Sequence, residues 1–456
     1  MTIKLITSAR FEALCFFRNP EIKLYAEERE WYSDETENVL GVVLFDKIDF
    51  DWNFVILGRD EMERFCAIDQ DINFPSADDA RKALHEKMLS HSATGTRTFP
   101  QGRDVRSKRA FRLFVPIVPP EKRNPLFVTL SETGAFSPAK EIITEIAYTF
   151  EDPDGNYIKD FQSDGFDARL WELYLYAALH ESDFLVNRDF HAPDYICSKF
   201  GFPVVIEAAT VNPTKLRGQI EVIQEDPDSE EIANYIAIKF ANALFYKLQK
   251  RYWDLAHVHG KPLVLAIADF KKPEGIHYSA KYLQEYLYAQ RQTKEGNVFI
   301  NTPIKQHVYR DRKKPSGFFY LPDSENISAV LFSDGGTISK FNRMGKIAGF
   351  GSQNVMMLRI GKRYETCRSA DVTEFRLAVS PPQYTETWSE GIYIFHNPNA
   401  KTPLDSRLFP DASHTFFTNG HFRISVPDRF PVWSKTIVLH PDETISSIET
   451  PRPQVN

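Results

Sequence analysis

The sequence predicts an α/β chain, α+β overall, in which a mixed β-sheet core is flanked by helices. Three observations predict it. Helix-period segments such as FDARLWELYLYAALHES and EEIANYIAIKFANALFYKLQKRYWDL alternate with short apolar runs, of which KPLVLAIADF reads as a strand buried on both faces. Between the two helices, APDYICSKFGFPVVIEAATVNP reads as a hairpin. Toward the C-terminus, LAVS, GIYIFH, RISVP and SKTIVLH are separated by Pro, Asn and Asp turns, the spacing of a β-rich segment.

Taken in order, residues 1–95 read as a small N-terminal α+β domain. VLGVVLFDKI and WNFVILG are strand-like around a polar DFD turn, and SADDARKALHEKML is a helix with Ser76 as its cap. The acids of YAEEREWYSDETENV read as a solvated face. Residues 96–135 carry five prolines among basic residues and are expected to link domains. The core spans 136–345. It opens with SPAKEIITEIAYTF, capped by Ser137 with Pro138 just inside, and EDPDGNYIKDFQSDG follows as a tight turn. Residues 346–456 form the β-rich C-terminal extension. The glycines of DGGTISKFNRMGKIAGFGS fit neither a P-loop nor a dinucleotide fingerprint.

At 456 residues the chain is long enough for two or three domains, and 42% hydrophobic with 26% charged residues is ordinary for a globular protein. No apolar run approaches the roughly 18 residues of a membrane span. The N-terminal MTIKLITSARFEALC lacks the features of a signal peptide. Cys15, Cys66, Cys197 and Cys367 are scattered without a CxxC pair, which fits reduced thiols. A cytoplasmic location is therefore expected.

Charged residues inside apolar runs mark the candidate site. A hairpin turn centred on Phe200-Gly201 sets Asp194 directly opposite Glu207, with their Cβ atoms roughly 5 Å apart. Two carboxylates so close repel unless a cation sits between them, and Mg²⁺ or Mn²⁺ takes such oxygen ligands. A slip of one residue would instead send the two acids to opposite faces. Glu172 lies in an almost wholly apolar helix, where it needs a partner; Arg169 stands at helical spacing from it. In the following helix, begun by Ser229, Ile232, Ile236, Phe240, Ala243 and Leu244 form one face. Lys239, Lys247 and Lys250 project within or beside that sector. Any one of them can snorkel to solvent, but together they offer an ammonium group to the acids.

An acid on a helix, Pro193-Asp194 opening a strand and Glu207 on the next strand resemble the PD-(D/E)XK nuclease superfamily over about residues 166–270. The resemblance implies a restriction-endonuclease-like core and catalytic roles for Glu172, Asp194 and Glu207. It also implies a metal bound by Asp194, Glu207 and the backbone carbonyl of Ala208. Where the family pattern has lysine two places after the acid, this chain has Ala209. The resemblance then implies a lysine supplied by the next helix, Lys247 first and Lys239 second.

The expected activity is metal-dependent hydrolysis of DNA phosphodiester bonds, with restriction of foreign DNA as a fitting role and RNA as the other candidate polymer. Net charge is −7, so phosphate contacts fall to local clusters. Arg106, Lys108 and Arg109 form one, and Arg310, Arg312, Lys313 and Lys314 a second in which an interleaved aromatic offers a base-stacking surface. Other readings are a nuclease-like fold without chemistry that binds nucleic acid or protein, favoured by Ala209, and a two-carboxylate sugar hydrolase. A homodimer or a protein partner is compatible with the chain.

Overall fold

The computed structural model describes residues 2–16, 18–101, 110–211, 215–216, 219–220, 230–269, 275–276, 279–296, 298–369, 371–440 and 443–445. It has the α+β architecture that the alternating patterns predict, with a mixed central sheet between helices. Among the described residues no helix is long and apolar enough to cross a membrane. All four cysteines are free thiols.

Near the N-terminus, Lys4–Ile6, Ala26–Ser33, Val39–Asp46, Trp52–Arg59 and Phe65–Phe74 form an antiparallel sheet in chain order. The helix Ala77–Ala93 packs on it, started by Ser76, whose Oγ accepts the Asp79 N–H at 3.2 Å. Gly41 permits that approach, because a Cβ there would lie 2.6 Å from the Met88 sulfur.

The central sheet runs His421–Ser425, Ser413–Thr418, Tyr393–His396, Ala329–Phe332, Leu263–Asp269, Phe202–Val211, Tyr195–Lys199, Leu185–Asn187. Leu263–Asp269 is parallel to both neighbours and buried throughout, as a strand covered on both faces must be. One face carries the helix Phe166–Glu181, with Trp171 and Leu175 in a core shared with Ile206 and Val264. The other face carries the helices Glu230–Leu248 and Ser279–Tyr288, whose Ile236, Phe240 and Leu283 pack with Val205 and Leu265. Three of the sheet's strands come from the C-terminal stretch. A further sheet is formed by Gly275–Ile276, Pro431–His440, Met356–Arg363 and Thr373–Ala378, with Glu443–Ile445 paired to Pro431–His440.

Local expectations are corrected at two points. Ser137 is the first helical residue of Ser137–Thr149 rather than its cap, and its hydroxyl donates to Gly134 O and accepts from Ser352 N. The Ala139 amide is capped from a distance by Asn342 Oδ1, at 3.1 Å. The lysine-bearing helix stops at Leu248, several residues before the predicted end, because Arg251 takes a left-handed conformation (φ 50°). Asp254 and Asp323 hold the Arg251 guanidinium there at 2.8 and 3.0 Å. The glycine-rich stretch supplies the helix Ile338–Ile347; a Cβ on its Gly345 would lie 2.1 Å from Pro138 O, so the glycine serves close helix packing.

Candidate active site

The hairpin turns through Phe200 (φ 48°) and Gly201 (φ 85°), a two-residue turn with both residues left-handed. That turn pairs Lys199 with Phe202 and, at the far end, Tyr195 with Ile206. Asp194 and Glu207 are the next pair along this register. Glu207 follows Val205 and precedes Ala209, whose side chains lie in the core under the lysine-bearing helix, so its carboxylate points toward that helix.

The backbone here is as informative as the side chains. Val205 N–H donates to Pro262 O at 2.9 Å, so residues 205, 207 and 209 aim their backbone groups at Leu263–Asp269. Ala208 therefore aims its N–H and C=O at the other side of the strand, toward the Pro193-Asp194 segment that leads into Tyr195–Lys199, just beyond the last paired residues Tyr195 and Ile206. A proline has no N–H to give, so the Ala208 carbonyl receives no ladder bond from it. The Ala208 N–H instead donates to Asp194 Oδ2 at 2.8 Å, and the Asp194 N–H donates to Glu207 Oε2 at 3.2 Å. These reciprocal bonds fix both carboxylates relative to the strand ends.

Lys247 makes a direct ion pair with Glu207 Oε1, which also accepts the Tyr252 hydroxyl at 2.7 Å. Burial, then the neighbouring Asp194 carboxylate, push the Glu207 carboxyl above its ordinary range; Lys247 and Tyr252 pull in the other direction. Glu172 approaches from the helix on the opposite face. Arg169 and Arg188 donate to its two oxygens at 2.9 and 3.3 Å. Burial and the Asp194 charge nevertheless raise its carboxyl to about 7, outweighing both arginines.

Glu172, Asp194, Glu207 and Lys247 line one pocket of about 420 Å³, together with Arg169, Ala208 and Tyr246. Lys239 does not line it, and its ammonium lies 5.7 Å over the Tyr235 ring. Ser229, Arg106, Lys108 and Arg109 lie outside the described residues. Arg310, Arg312, Lys313 and Lys314 belong to the hairpin Gln306–Tyr309 and Arg312–Pro315. The base-stacking expectation for this hairpin is corrected: Tyr309 is 4% exposed and packs edge-on against Tyr235, and His307 is buried beside it. His257 donates its Nε2–H to Ala192 O, 2.9 Å away, and stacks on Phe190 in the loop beyond the helix.

Tyr252 is the site residue that pattern reasoning passed over. The sequence pattern carries it inside a continuing helix, and only the break at Arg251 returns its hydroxyl to the sheet. The two carboxylates and the Ala208 carbonyl form an oxygen-only donor set, which suits Mg²⁺ or Mn²⁺ better than zinc. Among the described residues no group of three or more His, Cys, Asp and Glu side chains is arranged to hold a metal ion. No protein-family profile matches this sequence, and no curated protein and no solved structure matches it either.

Proposed function

We propose that the pocket hydrolyses phosphodiester bonds of DNA, with a divalent cation held by Asp194, Glu207 and the Ala208 carbonyl. The single observation that carries this reading is the reciprocal pair of bonds, Ala208 N–H to Asp194 Oδ2 and Asp194 N–H to Glu207 Oε2, which sets two carboxylates side by side in the pocket that Lys247 also lines. Bound there, Mg²⁺ or Mn²⁺ supplies a water of lowered pKa and offsets charge on the phosphate. Lys247 orients the attacking water and adds positive charge beside the phosphoryl oxygens. Glu172, buried and fixed by two arginines, would hold a metal-bound water or a second ion. Water's oxygen bonds to phosphorus, one P–O ester bond breaks, and the proton leaves with the departing oxygen.

The first test is incubation of the purified chain with supercoiled plasmid, which opens transient unpaired segments, and with single-stranded circular phage DNA. Cutting is expected with Mg²⁺, is abolished by EDTA, and falls about a hundredfold or more in Glu207→Ala. Equal cutting by that variant removes the assignment. A second reading, a binding module without chemistry, is favoured by Ala209 and by the Lys247–Glu207 ion pair, which satisfies the buried carboxylate without a metal. Calorimetry separates the two, since the module binds no Mn²⁺ at millimolar concentration.

A further inference from the structure

Tyr246 is the pocket's anomalous lining residue. It is 58% exposed, and Phe245 beside it is 43% exposed, although the same helix buries most of its apolar side chains against the sheet. Ala243, Tyr246 and Lys247 all line the pocket, at the three- and four-residue spacing that puts side chains on one helix face. One turn further on, the Lys250 ammonium lies 4.8 Å from the centroid of the Tyr246 ring. A large open ring, a cation upon it and a second lysine in the pocket thus lie together at the last turn of one helix and in the turn that follows it.

We infer that Tyr246 stacks on an unpaired nucleobase next to the phosphate held in the pocket, so that the substrate is a strand with unpaired nucleotides and not intact duplex. This rests on the phosphodiesterase reading and names its substrate class. The chemistry of a nucleotide matches the arrangement at both ends: a π-face for the tyrosine and a negative phosphate for Lys247 and Lys250. Stacking on an aromatic side chain is indifferent to sequence, because every base has a π-face. Inside a duplex both faces of a base are already covered by its neighbours, and exposing one requires unstacking it. A ring on a helix at a pocket mouth therefore meets a base face only at an end, a gap or a single-stranded segment.

The test is fluorescence anisotropy with a labelled single-stranded DNA oligonucleotide and its blunt duplex, in EDTA so that nothing is cut. Tyr246→Ala is expected to weaken single-strand binding about tenfold, equal to about 1.4 kcal/mol. Tyr246→Phe, which keeps the ring, stays within about twofold of the parent. Duplex binding changes little in either variant. Unchanged single-strand binding in Tyr246→Ala overturns the inference, as does equal loss on both substrates or failure of the parent chain to bind the single strand. The two readings fail separately. Loss of binding in Tyr246→Ala with no Mg²⁺-dependent cutting by the parent sinks the chemistry alone, whereas Mg²⁺-dependent cutting that Tyr246→Ala leaves untouched on single strands sinks the stacking role alone.

Discussion

Glu172 and Glu207 are both carboxyls raised above their ordinary range, first by burial and then by Asp194, but their partners differ. Glu207 shares one oxygen between Lys247 and the Tyr252 hydroxyl, so Tyr252→Phe removes a donor that favours the ionised form. The acid limb of the pH–rate profile on DNA is expected to move to higher pH in that variant, and an unmoved limb would deny Tyr252 a positioning role. Glu172 has a consequence for folding. Its carboxyl rises from 4.5 to about 7, so the folded chain holds a proton that the unfolded chain gives up. Stability from this group is present in full below about pH 4.5 and is lost as pH rises through about 7, by up to about 3 kcal/mol. Glu172→Gln cannot titrate. Its melting temperature relative to the parent should therefore climb between these pH values, and a constant difference would contradict the assignment. Asp194, Glu207 and Glu172 were legible in the sequence because each interrupts an apolar run. Tyr252 was not, since an aromatic near a helix end gives no sign of the break that redirects it.

Helix Ile338–Ile347 illustrates what spacing alone cannot reveal at the level of elements. Its Lys340 and Arg343 are buried on Glu386, at 2.7 Å each, and Arg359 from the strand Met356–Arg363 joins them while also reaching Glu390 at 2.6 Å. The Tyr384 hydroxyl donates to Glu386 as well, at 2.5 Å. Burial alone would push the Glu386 carboxyl up, but Arg343, Arg359 and Lys340 draw it well below the ordinary range. Removing the shared anion strands buried cations, which costs far more than the pair itself contributes. Glu386→Gln is expected to lower unfolding stability by about 3–5 kcal/mol in denaturant titration, and Glu390→Gln, at the more exposed end, by clearly less. A similar loss from both would mean that the charge is spread over the cluster. Lys340 and Arg343 lie more than forty positions from Glu386 in sequence, so no local pattern announces the cluster. The hairpin was legible for the opposite reason: a two-residue turn fixes its register within a short stretch of chain.

For the molecule as a whole, the net charge of −7 makes long-range attraction to a polyanion unfavourable, and binding must come from where the cations are placed. The mixed order of the central sheet, with C-terminal strands joining one side and the hairpin the other, could not be read from a sequence in which each strand shows only its own alternation. That order nevertheless determines which cations surround the pocket. The lysine-bearing helix spans the distance between two of them. Tyr235 near its start packs on the basic hairpin, while Lys247 at its end sits in the pocket. Twelve residues of helix put about 18 Å between those positions, a distance that several phosphates of one strand span. Arg312 and Lys313 are exposed on that hairpin. If they touch the same strand that enters the pocket, changing both to alanine reduces the slope of log affinity against log salt by up to about 1.4 on single-stranded DNA. The affinity loss should be largest at low salt and shrink as salt rises. Anisotropy titrations across a salt series measure it. An unchanged slope would place the hairpin away from the strand's path and leave Lys247 and Lys250, at and just past the end of the helix, as the phosphate contacts.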